Sequence, residues 1–190
     1  MKDIEIEIQV NIENSKPLLA FLEKNAVFQK ENHQIDEYFS PVHRNFIEVR
    51  PIKEWLRLRD SDGKYSITYK NWYFDENNKG SHCDEYETVI GDLNQLKKIF
   101  DVLDFKSVVT VDKLRKTWTY KDYEIDIDSV KGLGDFVEIE YIGEGDVDPK
   151  KTTEEMVNFL KEVGCGKIQR NYVGYPFQLL FPEETKYEEV

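Results

Sequence analysis

Residues 4–10 read IEIEIQV, so that Ile4, Ile6, Ile8 and Val10 alternate with Glu5, Glu7 and Gln9. Side chains at i and i+2 leave a β-strand on the same face, and this segment therefore has one apolar face and one that carries two carboxylates. The pattern returns along the chain. Arg57 and Arg59 share a face in WLRLR, Lys113 and Arg115 in DKLRK, Asp126 and Asp128 in IDID, and Glu138 and Glu140 in VEIE, while Lys70 closes SITYK in the same way. The opposite faces hold Leu56, Leu58, Ile67, Tyr69, Leu114, Ile125, Ile127, Val137, Ile139 and Tyr141. This periodicity predicts strands over roughly 3–12, 34–40, 54–60, 64–74, 84–90, 107–120, 122–129 and 135–142, with a looser extended aromatic segment over about 170–181.

Three segments have the 3.6-residue period and start signals of amphipathic helices. Ser15 and Pro17 open NSKPLLAFLEKN, Asp92 opens GDLNQLKKIFDVLDF, and Thr152 or Thr153 opens TTEEMVNFLKEVG, which Gly164 stops. Turn signals separate the strands at DSDGK, DENNKGSH, KGLGD and GEGDVDPKK. A carboxylate pair at i, i+2 precedes each helix at Glu5/Glu7, Glu85/Glu87 and Glu138/Glu140, a recurring strand-to-helix unit rather than a true repeat. No linker divides the chain, so the sequence reads as one domain over 1–182 followed by an acidic, frayed tail over 183–190.

The balance of 26 basic against 38 acidic residues, net −12, excludes non-specific binding to nucleic acid or to membranes, because the long-range field repels phosphate backbones. MKDIEIEIQ has charges where a secretory signal needs an apolar run, and no stretch is long enough to span a bilayer, which reads as a soluble cytoplasmic protein. Cys83 and Cys165 have no metal or disulfide spacing. DSDG lacks the later ligands of a calcium loop, GLGD lacks the third glycine of a dinucleotide fingerprint, and His33, His43 and His82 have no catalytic spacing. The aromatic run NWYF over 71–74 reads as packing rather than as a base-stacking platform.

On any single strand, an antiparallel sheet with one wet face gives the same alternation. Taken together the strands say more, because the charges are sorted by sign, acids on some strands and bases on others. The expectation is an α+β fold in which a closed antiparallel barrel of eight-stranded type carries about three helices outside and turns its charged faces inward. Charges there persist only when paired, hydrated or matched by a ligand. A polyphosphate suits the cationic strands, and the Mg²⁺ or Mn²⁺ that accompanies it suits the carboxylates.

In order and spacing, EIEIQ (5–9), IDEYFSP (35–41), HRNF (43–46), WLRLR (55–59), SITYK (66–70), DEYE (84–87), DKLRKTW (112–118) and IDIDSVKGLGDFVEIE (125–140) resemble the CYTH family, the triphosphate tunnel metalloenzymes that include class IV adenylyl cyclases and thiamine triphosphatases. The resemblance implies metal ligation by Glu5, Glu7 and Glu138, with Asp128 and Glu140 assisting, and phosphate binding by Arg57, Arg59, Lys70, Lys113 and Arg115. Glu5, Glu7, Lys113, Arg115 and Asp128 form the implied catalytic set. Gln9, Glu85 and Glu87 join the substrate-binding set, and for Glu85 and Glu87 metal binding, pairing with Arg57 and Arg59, or simple hydration are alternatives. Two positions depart from the family pattern: Gln9 stands where the first motif, ExExK, has lysine, and Cys83 stands where an arginine is common. The implied activity is cyclisation of ATP to cyclic AMP and pyrophosphate. Hydrolysis of thiamine triphosphate, another nucleoside triphosphate or tripolyphosphate is the second reading, and a non-catalytic polyphosphate sensor the third. A homodimer is compatible with the family.

Overall fold

The computed structural model describes residues 6–74, 80–144 and 147–190, with the backbone alone at 80–82. Ten strands occur in chain order: β1 (Glu7–Ile12), β2 (Val27–Pro41), β3 (Glu54–Ser61), β4 (Lys64–Phe74), β5 (Gly80–Ile90), β6 (Phe105–Tyr120), β7 (Tyr123–Val130), β8 (Gly134–Tyr141), β9 (Ile168–Arg170) and β10 (Glu188–Glu189). Four α-helices join them: α1 (Lys16–Asn25), α2 (Leu93–Val102), α3 (Pro149–Val163) and α4 (Tyr175–Leu180). The strands form one sheet in the order β10-β9-β1-β8-β7-β6-β2-β3-β4-β5.

That order corrects the expected closed barrel of eight-stranded type with three outer helices. The sheet runs from β10 to β5 and is open among the described residues. Closure needs end strands that can pair along their length, whereas β10 is only Glu188–Glu189. Alternation could not reveal this, because an open sheet with one apolar and one polar face has the same period two as a closed one. The segment 170–181, read as extended, instead ends β9 and forms α4, with Pro176 in the first turn of the helix. The tail read as frayed pairs with β9, Glu188 opposite Arg170.

The chain divides into two compact units, the first comprising Met1–Asn32, Lys113–Val173 and Glu183–Val190 and the second His33–Asp112 and Gly174–Pro182. In the first unit the apolar face of β1, β7 and β8 offers Ile8, Val10, Ile125, Val137 and Ile139 to Leu18 and Leu22 of α1 and to Met156 and Leu160 of α3. A cavity of about 740 Å³ on this helix-covered side is lined by Phe21, Tyr120, Tyr123, Met156 and Phe159. In the second unit Phe39, Leu56 and Leu58 pack with Phe46 and with Phe100 of α2. The segment 174–182 is bound into this unit by Arg50, whose guanidinium lies 5.6 Å from the Phe177 ring centroid and 4.0 Å from that of Phe181.

Local signals explain the element ends. Asp92 caps α2 by accepting from the Gln95 amide, and Gly164 ends α3 in the left-handed region at φ 90°. The first turn of α3 lies earlier than the threonines suggested, because Asp148 accepts from the amides of Lys150 and Lys151. Ser15 stands at the N-cap position of α1, but its side chain does not cap the helix. Its hydroxyl donates to Asp135 Oδ2 at 3.2 Å, while Asn14 Oδ1 accepts from the Lys16 amide. DSDG is the β3–β4 hairpin turn, with positive φ at Asp62 and Gly63. No helix among the described residues is long and apolar enough to cross a membrane.

Leu160, with no exposed surface, and Val102, 78% exposed, give contrasting expectations. Leu160→Ala should cost about 2–5 kcal/mol in urea unfolding. Val102→Ala should stay within about 0.5 kcal/mol.

Candidate active site

The polar face of the first unit is assembled by strand register. Thr117 of β6 stands opposite Asp126 of β7, Asp126 opposite Glu138 of β8, and Glu138 opposite Gln9 of β1. One step along the strands, Arg115 faces Asp128; one step the other way, Glu124, Glu140 and Glu7 fall in a row. This face is not an ordinary wet one. Asp126 is 5% exposed, Asp128 0% and Lys113 4%.

Arg115 is the hub. It donates to both oxygens of Asp128 at 2.7 and 2.6 Å, pairs with Asp126 at 2.5 Å, and reaches Glu138 at 3.1 Å. Lys113 Nζ donates to Asp128 Oδ2 at 3.0 Å, Thr117 donates to Asp126 at 2.5 Å, and Gln9 Nε2 donates to Glu138 Oε2 at 3.3 Å. Burial pushes the Asp128 carboxyl up, but hydrogen bonds from Arg115 and the Lys113 and Arg115 charges outweigh it, and the carboxyl lies below its ordinary value. For Glu138, too, burial works upward and the cations, Arg115 before Lys113, bring the result down. Asp126 goes the other way, because there burial outweighs Arg115 and Thr117.

The second unit repeats the arrangement with different partners. Tyr38, Arg57, Thr68 and Glu87 form a row across β2 to β5, with Asp36 opposite Arg59 in the next row. Asp36, 3% exposed, accepts from Arg59 Nε and Nη2 at 2.6 and 2.7 Å and lies 3.9 Å from Arg57 Nη1. Arg57 Nη2 donates to Thr68 Oγ1 at 2.9 Å and to Glu87 Oε2 at 3.2 Å, and Thr68 donates to the same Glu87 oxygen at 2.6 Å. Arg57 Nε is buried with no hydrogen-bond partner. Lys70 Nζ lies 2.8 Å from Glu85 Oε2. Burial, helped by the Asp36 charge, pushes the Tyr38 phenol up to about 12.

Within the first unit, Lys113, Arg115, Asp128 and Glu138 thus come together, with Gln9 on the flank and Glu7 and Glu140 in the neighbouring row. Within the second, Arg57, Arg59, Lys70, Glu85 and Glu87 share one face, and Glu85 and Glu87 pair with Lys70 and Arg57. Glu5 lies outside the described residues. Sequence reading passed over Asp36, Glu124 and Asp126 as site residues. Glu124 and Asp126 were signalled by the three alternating acids of EIDID, whereas Asp36 in QIDEYF has Gln34 and Tyr38, and no second acid, at the same-face positions i−2 and i+2.

Among the described residues no group of three His, Cys, Asp or Glu side chains is arranged to hold a metal ion. The donor chemistry nevertheless fits a hard divalent cation. Glu7 stands opposite Glu140 and Glu140 opposite Glu124, and their carboxylate oxygens are hard donors of the kind such a cation takes.

Asp128→Asn removes the negative charge that pairs with Lys113 and Arg115 and should cost about 3–5 kcal/mol in urea unfolding at pH 7. A depressed carboxyl stabilises the fold fully above its unfolded-state value, near the ordinary 3.8, and that contribution drains as pH falls toward the folded value. Stability of the native chain should therefore fall with pH below about 4, with Asp126 partly opposing the trend and Asp128→Asn showing a shallower slope.

The chain matches the CYTH domain model over residues 1–172. It is 36% identical over 175 residues to the Methanocaldococcus jannaschii protein named "Putative adenylate cyclase MJ0240", an alignment that covers 90% of this chain and 97% of that protein. Among solved structures, the PH1819 protein from Pyrococcus horikoshii OT3 aligns with TM-score 0.71 and 27% identity over 95% of this chain and 100% of its own. HpAC1 from Hippeastrum, for which a dominant triphosphatase activity is described, shares the fold at TM-score 0.70 and 18% identity over 95% of this chain and 96% of its own. A match across residues 1–172 and a relative at 36% identity make this chain a member of the CYTH family, whose members bind triphosphates with divalent metal.

Proposed function

We propose that this protein is a metal-dependent enzyme that acts on a triphosphate, with conversion of ATP to cyclic AMP and pyrophosphate as its reaction. The observation that carries the reading is the half-buried Arg115 hub, in which one guanidinium is fixed by Asp126, Asp128 and Glu138 while Lys113 is fixed by the same Asp128. A cation oriented in this way costs little reorganisation when charge develops on a phosphoryl group, and positioning with charge stabilisation supplies most of what phosphoryl and nucleotidyl transfer require. The 36% identity to a protein named as an adenylate cyclase supports the choice of reaction.

In this reading Lys113 and Arg115 are the phosphate ligands of the first unit, with Asp128 keeping both cations in place, and Arg57, Arg59 and Lys70 are the phosphate ligands of the second. Glu7, Glu138 and Glu140, with Glu5, would hold Mg²⁺ or Mn²⁺. The bound ion supplies neutralisation of phosphate charge and lowers the proton affinity of the attacking oxygen. The ribose 3′-hydroxyl oxygen bonds to the α-phosphorus as the bond from that phosphorus to the β-phosphate oxygen breaks, the hydroxyl proton passing to solvent and pyrophosphate leaving. Hydrolysis by water at the terminal phosphorus uses the same residues. Gln9 favours a third reading, a binding module, because it meets Glu138 as a neutral donor where the family motif supplies a positive charge.

Incubation with ATP and Mg²⁺ or Mn²⁺, followed by phosphorus NMR, should give cyclic AMP and pyrophosphate, and Glu138→Ala should lose both. ADP with orthophosphate would move the assignment to a triphosphatase. Binding without turnover of ATP, thiamine triphosphate or tripolyphosphate would leave the binding module. Gln9→Lys should tighten triphosphate binding about three- to tenfold, by adding one charge-assisted contact.

A further inference from the structure

The cations of the second unit already have anionic partners, and those partners differ sharply in their access to water. Asp36 is 3% exposed and grips Arg59 through two hydrogen bonds. Glu87, which holds Arg57, is 49% exposed, and Glu85, which holds Lys70, is 35% exposed. A buried carboxylate cannot leave its cation without leaving a charge uncompensated in a poorly solvated place, so Asp36 is a fixed part of the wall. An exposed carboxylate can rotate into water at small cost, because ion pairs at the surface are weak.

Each exposed glutamate also occupies the contact that an anion would need. Glu87 Oε2 accepts at once from Arg57 Nη2 and from Thr68 Oγ1, two donors that converge on one oxygen at 3.2 and 2.6 Å. That is the geometry of a phosphate-oxygen subsite with a side-chain carboxylate seated in it. Glu85 Oε2 does the same for Lys70 Nζ at 2.8 Å.

We infer that Glu87 and Glu85 are resident counter-anions of the phosphate-binding cations, which an incoming triphosphate displaces from Arg57, Thr68 and Lys70 while Asp36 stays. The inference rests on the triphosphate reading above and adds a direction that a phosphate or metal ligand would not have. Removing either glutamate's charge strengthens anion binding. The seated carboxylates set a threshold, so that a polyanion able to engage several cations together displaces them and a single orthophosphate does not.

The test is calorimetric titration of tripolyphosphate in EDTA at physiological ionic strength, on the native chain, Glu87→Gln, Glu85→Gln and, as a remote control of equal charge change, Asp101→Asn on α2. Tighter binding by about three- to tenfold is expected for each glutamate variant, with orthophosphate binding gained as well and the control unchanged. Binding to the native chain that is unchanged or weakened in both glutamate variants overturns the displacement and leaves the triphosphate reading standing. So does an equal gain in Asp101→Asn, which would make the effect one of net charge. Binding that first becomes measurable in Glu87→Gln supports displacement in its strongest form, whereas no binding in any variant in EDTA overturns this inference, and no binding on repetition with Mg²⁺ overturns the triphosphate reading as well.

Discussion

Asp128 has no exposed side-chain surface, and yet it is the common acceptor for Lys113 and Arg115. Placing charges out of water is unfavourable unless geometry and hydrogen bonding compensate closely, and that requirement runs outward from this residue through the first unit. It fixes Arg115 against Asp126 and Glu138, aligns the register of β6, β7 and β8, and draws Thr117 in as a donor to Asp126. The apolar faces of the same strands pack against α1 and α3. One ladder of hydrogen bonds thus holds a dry hydrocarbon layer on one side and a compensated ionic layer on the other.

The two units solve the problem of buried charge with different tolerances. In the first, carboxylates surround a central guanidinium, and Asp128 and Lys113 are buried while Arg115 and Glu138 keep 14% and 22% of their side-chain surface exposed. In the second, Asp36 is sealed in while Glu85 and Glu87 remain partly wet. The orphaned Nε of Arg57 belongs with this looser arrangement, because a buried donor without an acceptor is a cost that a tightly optimised network avoids.

Much of this was legible from period two alone. The alternation over residues 6–10, in WLRLR and in VEIE put the apolar side chains on the buried face, because same-face placement at i, i+2 is a property of the strand itself. It could not tell that the polar face at Asp126 and Asp128 is buried, since burial depends on what covers the second face. Nor could it tell an open sheet from a closed one, because curvature and closure depend on register, tilt and the length of the end strands. Ser15 was misread for a related reason: the hydroxyl found Asp135, which is distant in sequence, and the neighbouring Asn14 took the local turn. Asp36 escaped notice because it has no second acid at i−2 or i+2 to mark its face.

The clasp of Arg50 on Phe177 and Phe181 has a consequence for biosynthesis. The second unit takes its last segment, Gly174–Pro182, from beyond the whole of residues 113–173, and the first unit pairs β1 with β8 and β9. A nascent chain leaving the ribosome therefore carries both units unfinished until almost all of it has emerged, with apolar faces waiting for partners made late. Contacts of such long sequence separation form slowly, and an interrupted translation product would compromise both units rather than leave one intact.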